Sequence, residues 1–173
     1  MTLFYHDSVA VEDAAKSILT QYTQSLAYNG QFVTTDKGRV SATLQSTVGD
    51  ALLNSKSGDV VAIEYKVEAE NKHGNFFLET WSNKNEDRAK LGWMFTLDAD
   101  YLWYYFFASD ELYIIDFQKL KTWATGDRFK DFAEKPQSKY TQRNSTFGRC
   151  VPIEVIKNEV GFWKRNPREE LNL

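Results

Sequence analysis

A run at residues 60–68, with the sequence VVAIEYKVE, limits what this chain can fold into more than any other stretch. It is β-branched, apolar and too short for a typical helix, so we expect a strand that lies inside a sheet. Side chains alternate between the two faces of a strand. One face then carries Ile63 and Tyr65 toward the core, while the other carries Glu64 and Lys66. An acid and an amine are therefore expected about 7 Å apart along one face.

A Glu-x-Lys pair on a strand is usually a solvated ion pair of little energetic value, and this interpretation of Glu64 and Lys66 stays open. Two features favour a functional role. The pair lies in a run hydrophobic enough to be buried, where an unpaired charge is costly. Two further acids also flank it, Asp50 on the short apolar strand before it and Glu79 on the aromatic strand after it. We expect these three strands to be neighbours whose acids converge on one divalent cation, because repelling carboxylates are gathered by a bound cation.

The start of the chain predicts one long amphipathic helix. Its N-cap is expected at Asp7 or Ser8, with Glu12 in the first turn, where the helix dipole favours acids. Apolar residues recur at helical spacing to about residue 27, and an Asn-Gly pair at 29–30 ends the helix.

The rest of the chain predicts a mixed sheet flanked by helices, in an α/β or α+β arrangement. We expect a polar tail that frays from Lys164 onward. No repeat or linker interrupts the sequence, so residues 1–173 are expected to form one domain with a basic C-terminal extension from about residue 117. The later elements predicted are a short helix at 89–97, a β-hairpin at 101–107 and 112–117, a short helix at 118–124, and an edge strand at 151–156.

Composition excludes several classes of protein. A net charge of −3 and a pI near 5.5 argue against non-specific nucleic-acid binding over the whole surface, although a local basic patch is still compatible. The single cysteine, Cys150, excludes an intramolecular disulfide and a cysteine-built zinc site, and it fits a reducing cytoplasm. The N-terminal sequence lacks the features of a signal peptide, and no stretch is long enough to span a membrane. We therefore expect a cytoplasmic protein without a membrane partner.

The spacing of the acids resembles that of a known family. Gly49-Asp50 is followed by thirteen residues and then by Glu64-Tyr65-Lys66, all downstream of the amphipathic helix. This pattern resembles the PD-(D/E)XK nuclease superfamily, with its restriction-endonuclease-like core, over residues 12–117. Three further features resemble those of small phage-encoded members of this superfamily. They are Gln45 shortly before Asp50, the aromatic strand with its glutamate at 76–79, and a Gly-Trp pair at 92–93. Gly49 stands where the family has proline, and Asp59, a rival for the acid, is better explained as a turn residue.

The resemblance implies metal-dependent hydrolysis of a DNA phosphodiester bond. Asp50 and Glu64 would hold Mg²⁺, for which Mn²⁺ should substitute, and the carbonyl of Tyr65 would be the backbone ligand. Lys66 would lie near the attacking water and stabilise charge on the phosphorus.

Two more acids are candidates through the same resemblance. Glu79 would bind a second cation or orient water around the first one. Glu12 would be the acid that the family often places on its first helix, although a partnership with the helix dipole explains it equally well.

The basic region at 119–149 is the natural surface for DNA. Residues 117–149 contain eight Lys and Arg against three Asp and Glu, a local net charge of +5, although such runs are often only a solvated face. The candidate DNA contacts are Lys119, Lys121, Arg128, Lys130, Lys139 and Arg143, with Arg39 and Gln45 nearer the acids.

A second function also fits the sequence. A protein with the nuclease fold but without catalysis could bind DNA or a protein partner, and its basic region and aromatic residues would suffice for that. A homodimer is one assembly that the sequence allows.

Overall fold

The computed structural model describes residues 5–30, 32–34, 48–137 and 145–173. Its strands are β1 Phe32–Thr34, β2 Ala51–Asn54, β3 Val60–Glu68, β4 Asn75–Asn83, β5 Lys90–Leu91, β6 Tyr101–Phe106, β7 Glu111–Asp116, β8 Glu134–Pro136, β9 Phe147–Pro152 and β10 Trp163–Arg165. Its α-helices are α1 Tyr5–Leu26, α2 Trp93–Thr96, α3 Phe117–Ala124, α4 Asp127–Lys130, α5 Ile153–Glu159 and α6 Pro167–Leu171.

Within these residues, the strands form two sheets. The first has the order β1-β2-β3-β6-β7-β10 and is mixed, because β3 and β6 run parallel while its other pairs are antiparallel. The second has the order β5-β4-β9-β8 and is antiparallel throughout. The structure is therefore mixed α/β, with a mixed sheet flanked by helices.

The prediction that three acid-bearing strands are neighbours is correct for β2 and β3 but wrong for β4. β2 pairs with β3 as expected, but β4 pairs with β5 and β9 in the second sheet. The other neighbour of β3 is β6, to which it is parallel. Parallel strands need a long crossover connection, and here the crossover contains β4, β5 and α2.

The two faces of the first sheet bury two separate apolar layers. α1 covers one face, where Leu19 and Tyr22 pack with Ile63 and Tyr65, as the alternation along β3 predicts. The other face packs against the second sheet, with Phe76 and other side chains of β4 and β9 against the aromatic residues of β6. The polar face of β3 is therefore turned toward the space between the sheets.

The long helix is confirmed, but its start is not where we expected. α1 begins at Tyr5, so Asp7 and Ser8 lie inside the helix rather than at its N-cap. It ends at Leu26, and Asn29 takes the left-handed conformation (φ 52°) that the Asn-Gly pair predicts. The predicted hairpin is also confirmed as β6 and β7, and the helix after it as α3.

Two predicted elements are wrong because of one residue each. Only Trp93–Thr96 is helical within 89–97, because the backbone of Gly92 is extended. Gly92 also lies so close to β4 that an added Cβ would be 2.5 Å from the backbone carbonyl oxygen of Glu79. The strand expected at 151–156 ends at Pro152, after which the chain becomes α5. That strand, β9, is also interior rather than an edge, since it lies between β4 and β8.

The C-terminal tail does not fray. β10 adds to the edge of β7, and α6 docks beside α1. Tyr22 donates its hydroxyl hydrogen to Glu170 at 2.6 Å, and Arg168 donates to the carbonyl of Phe107 at 2.8 Å. Across the described ranges, no helix is long and apolar enough to cross a membrane.

Candidate active site

Glu64 and Lys66 lie side by side on the inter-sheet face of β3. Glu64 is 5% exposed and forms an ion pair with Lys66, whose ammonium lies 5.0 Å from the ring centre of Trp93. Burial raises the pKa of Glu64 to about 7, and the charge of Asp50 adds to this, although Lys66 acts in the opposite direction. The simple solvated ion pair is therefore excluded, because its acid is buried.

Asp50 is fixed against β3 just before β2 begins. Its amide donates to the carbonyl of Ile63 at 2.8 Å, and its carboxylate accepts the amide hydrogen of Tyr65, also at 2.8 Å. The Asp50 side chain thus continues the ladder of hydrogen bonds one step beyond β2. The amide and carbonyl of one strand residue point to the same edge, so the Tyr65 carbonyl also faces the side on which Asp50 lies.

The backbone at Gly49, just before the acid, has a conformation that requires glycine. Its φ is +114°, a conformation that proline cannot adopt, since its ring fixes φ near −65°. A Cβ at Gly49 would also lie 2.6 Å from the carbonyl oxygen of Ile63. The close approach of the chain to β3 at this point requires glycine.

Sequence reasoning missed Lys16 on α1, whose charge influences the acids of the site. Lys16 forms an ion pair with Glu12 at 2.8 Å. Burial lowers the pKa of Lys16, but the hydrogen bond with Glu12 and the charges of Glu12 and Asp50 outweigh it, and the pKa is raised. Lys16 in turn lowers the pKa of Glu64. Glu12 itself is 55% exposed, and its link to the site runs through Lys16.

Glu79 faces the same space from the second sheet. Its carboxylate accepts the amide hydrogen of Trp93 at 3.3 Å. Burial raises its pKa, with Trp93, Lys66 and Lys90 acting in the opposite direction. A cleft of about 380 Å³ opens here, lined by Glu64, Lys66, Glu79, Ser82, Lys90, Leu91, Trp93, Thr96 and Leu97.

The ligands that this site could offer to a metal are all oxygens. They are the carboxylates of Asp50 and Glu64 and the carbonyl of Tyr65. In the part of the chain that the structure describes, no group of three or more His, Cys, Asp or Glu side chains could hold a metal ion. Glu79 and Glu12 therefore do not complete a three-acid centre. One or two carboxylates with retained water and substrate phosphate nevertheless suit Mg²⁺, so the donor set fits this ion.

Half of the predicted DNA contacts cannot be placed. Arg39, Gln45, Lys139 and Arg143 lie outside the described residues. The others are engaged locally: Lys119 with Asp116 at 3.4 Å, Lys121 with the carbonyl of Leu97 at 2.6 Å, Arg128 with Asp131 at 3.0 Å and Glu159 at 3.2 Å, and Lys130 with Asp127 at 2.7 Å. The positive charge of this region is thus partly compensated, and its role in DNA binding stays a prediction.

Comparison of the chain with protein-family models, with curated proteins and with solved structures found no match in any of the three, so the family resemblance rests on the sequence motifs alone.

Proposed function

We propose that this protein is a Mg²⁺-dependent deoxyribonuclease that hydrolyses phosphodiester bonds in the cleft between its two sheets. The observation that carries the proposal is the burial of Glu64 beside Lys66 on β3, with Asp50 held one strand away. A strongly perturbed carboxylate at the wall of a cleft is a typical feature of functional sites.

Stability alone gives little reason for such an arrangement. A buried ion pair usually contributes no more than well-packed apolar side chains of the same volume, because both charges lose their hydration. Here burial raises the pKa of Glu64 to about 7, so ionisation of this carboxyl group is unfavourable compared with an exposed glutamate. A cation bound beside Glu64 and Asp50 would compensate that charge, which supports a metal site.

Each side chain then has a separate role. Asp50 and Glu64 would hold the ion, with the Tyr65 carbonyl on the same edge of β3. When bound, the ion would neutralise phosphate oxygens and make a bound water more acidic. Lys66 presents its ammonium to the cleft, where it can donate hydrogen bonds to a phosphate oxygen and stabilise the negative charge that develops there.

The central test is DNA cleavage with and without the cation. We expect the purified protein to nick plasmid DNA in Mg²⁺ or Mn²⁺ and to lose this activity in EDTA. Asp50→Asn should abolish both cleavage and Mn²⁺ binding, since it removes a charged ligand. The matched control is Asp59→Asn, because Asp59 is exposed and its carboxylate accepts a hydrogen bond from Ser57 at 2.6 Å within the turn between β2 and β3. Cleavage that survives EDTA, or that Asp59→Asn abolishes, would contradict the proposal.

Lys66 gives a second, sharper test. Lys66→Ala should bind Mn²⁺ nearly as well as the wild type but should lower turnover by at least about two orders of magnitude, because it removes stabilisation of the transition state. Calorimetry measures the first effect and a single-turnover assay the second. Normal turnover in this variant would show that the site is wrongly assigned.

A non-catalytic DNA-binding or protein-binding function is the competing proposal. It is favoured by the lack of a third acid close to Asp50 and Glu64 among the described residues. The same cleavage assay separates the two, since a binding protein shifts DNA in a gel in Mg²⁺ without cutting it.

A further inference from the structure

The cleft presents positive charge from both of its walls. Lys66 comes from β3 in the first sheet, and Lys90 comes from β5 in the second. Both line the same cleft of about 380 Å³. Trp93 from α2 and Leu97, the residue that follows this helix, add apolar surface to the lining.

Among the described residues, Lys90 differs from Lys66 in having no ion-pair partner. Lys66 is paired with Glu64, whereas Lys90 makes no ion pair with any of the described residues. Its charge lowers the pKa of Glu79, which lies on β4, the neighbouring strand of the same wall, and no hydrogen bond joins the two among those residues. The Lys90 ammonium is exposed and lines the cleft, so it can donate hydrogen bonds to a phosphate there.

Apolar side chains line the cleft together with Lys90. Leu91, the next residue, is 45% exposed although it is a large hydrophobic side chain, and the half-buried ring of Trp93 also lines the cleft. Alternation of a cation with exposed apolar and aromatic surface is the combination that contacts the backbone and the bases of a single nucleic-acid strand.

We propose that the cleft binds an extended single strand of DNA, with Lys90 holding a phosphate next to the one that is cut. This inference rests on the proposed function, since it takes the cleft to be where the phosphodiester bond lies. A strand between Lys66 and Lys90 is contacted from two opposite walls. A cleft of about 380 Å³ has room for one backbone but not for the two paired strands of a duplex, so an unpaired strand can enter between the two lysines.

The two acids and two amines of the cleft balance each other in charge. A polyanion therefore gains little from the cleft alone, and its affinity should rise when a divalent cation is added. Ca²⁺ serves for the binding measurement, because it takes oxygen ligands as Mg²⁺ does and lets binding be measured apart from cleavage.

The experiment compares a labelled oligonucleotide without self-complementarity and the same sequence as a blunt duplex, by fluorescence anisotropy in Ca²⁺ at several salt concentrations. We expect the single strand to bind at least about tenfold more tightly than the duplex. Lys90→Ala should reduce the salt slope of single-strand binding by about 0.7, the value for one lost phosphate contact. Lys90→Arg should keep the wild-type slope, because it keeps the charge.

The matched control is Lys56→Ala. Lys56 is an exposed lysine without an ion pair among the described residues, and it lies in the β2–β3 turn outside the cleft. We expect its slope to equal that of the wild type. Preference for the duplex, absence of single-strand binding, or equal slopes for Lys90→Ala and wild type would each overturn the inference.

These outcomes are separate from those that test the nuclease. Single-strand binding with a reduced slope in Lys90→Ala, but without cleavage in Mg²⁺, would contradict the nuclease and support this strand path. Cleavage in Mg²⁺, with equal salt slopes for Lys90→Ala and the wild type, would support the nuclease and contradict this strand path.

Discussion

At the scale of single residues, the site depends on one backbone position. Gly49 has a positive φ, and its α-carbon lies so close to β3 that a Cβ would be 2.6 Å from the Ile63 oxygen. The next residue, Asp50, bonds to β3 through its amide and its carboxylate. Any shift at Gly49 therefore moves the acid relative to Glu64.

Gly49→Ala should lower the free energy of unfolding by about 3 kcal/mol, since both the φ and the close contact are unfavourable. Gly58→Ala is the matched control, because Gly58 also has a positive φ (+90°) but meets no atom within 4 Å. That variant should lose only about 1 kcal/mol, the cost of the left-handed conformation. Urea denaturation measures both, and calorimetry should show weaker Mn²⁺ binding in Gly49→Ala alone. Equal losses would mean that the contact with Ile63 is unimportant.

The sequence predicted part of this site because part of it is local. Alternation along a strand is enough to put Glu64 and Lys66 on one face, and their spacing predicted that geometry correctly. Lys16 and Lys90 could not be found in this way. The charge of Lys16 acts on the acids because α1 docks on the first sheet, and Lys90 lines the cleft because the extended Gly92 keeps residues 90–91 out of a helix.

At the scale of elements, the largest difference from the sequence prediction is the partner of β4. The apolar pattern of 75–83 predicts a strand correctly but contains no information about which strand it pairs with. Pairing of β4 with β9 joins segments more than 60 residues apart and depends on the whole fold. Glu79 nevertheless lines the same cleft as Glu64 and Lys66, from the wall opposite β3.

The C-terminal helix is held by an acid on a distant turn. Asp110, which has a positive φ of 54°, accepts the amide hydrogen of Arg168 at 3.1 Å and that of Glu169 at 3.3 Å. It also accepts the hydroxyl hydrogen of Tyr105 at 2.7 Å. Asp110 thus acts as the N-cap of α6, where Asn166 makes no side-chain cap bond. A cap supplied from another part of the chain leaves no local signal in the sequence of the tail.

Asp110→Ala should lower the free energy of unfolding by about 2 kcal/mol, because it removes the cap and leaves Tyr105 without its acceptor. Asp110→Asn should cost less, since asparagine tolerates the left-handed conformation and keeps an acceptor oxygen. Amide exchange of residues 167–171 should accelerate in the alanine variant before the rest of the protein is affected. Equal stability of the two variants would argue against the capping role.

At the scale of the whole molecule, charge is organised in ways that counting along the sequence does not reveal. The basic region at 117–149 has a local charge of +5, yet Asp116 and Glu159, just outside it, pair with Lys119 and Arg128. Conversely, acids accumulate between the two sheets. Burial raises the pKa values of Glu64, Glu68 and Glu79, and Glu68 accepts a hydrogen bond from Tyr104.

These buried acids predict how stability depends on pH in the metal-free protein. The pKa of Glu64 rises from 4.5 to about 7 on folding, so the folded state binds its proton more tightly. The stability that Glu64 contributes is complete below about pH 4.5 and is lost as the pH rises through about 7, a change of at most about 3 kcal/mol. In EDTA, the wild type should therefore lose stability between pH 5 and 8 relative to Glu64→Gln, which has no proton to release. Thermal unfolding measures the two curves, and parallel curves would contradict the raised pKa. Addition of Mg²⁺ at pH 8 should restore stability to the wild type but not to the variant, because only the ionised carboxylate binds the ion.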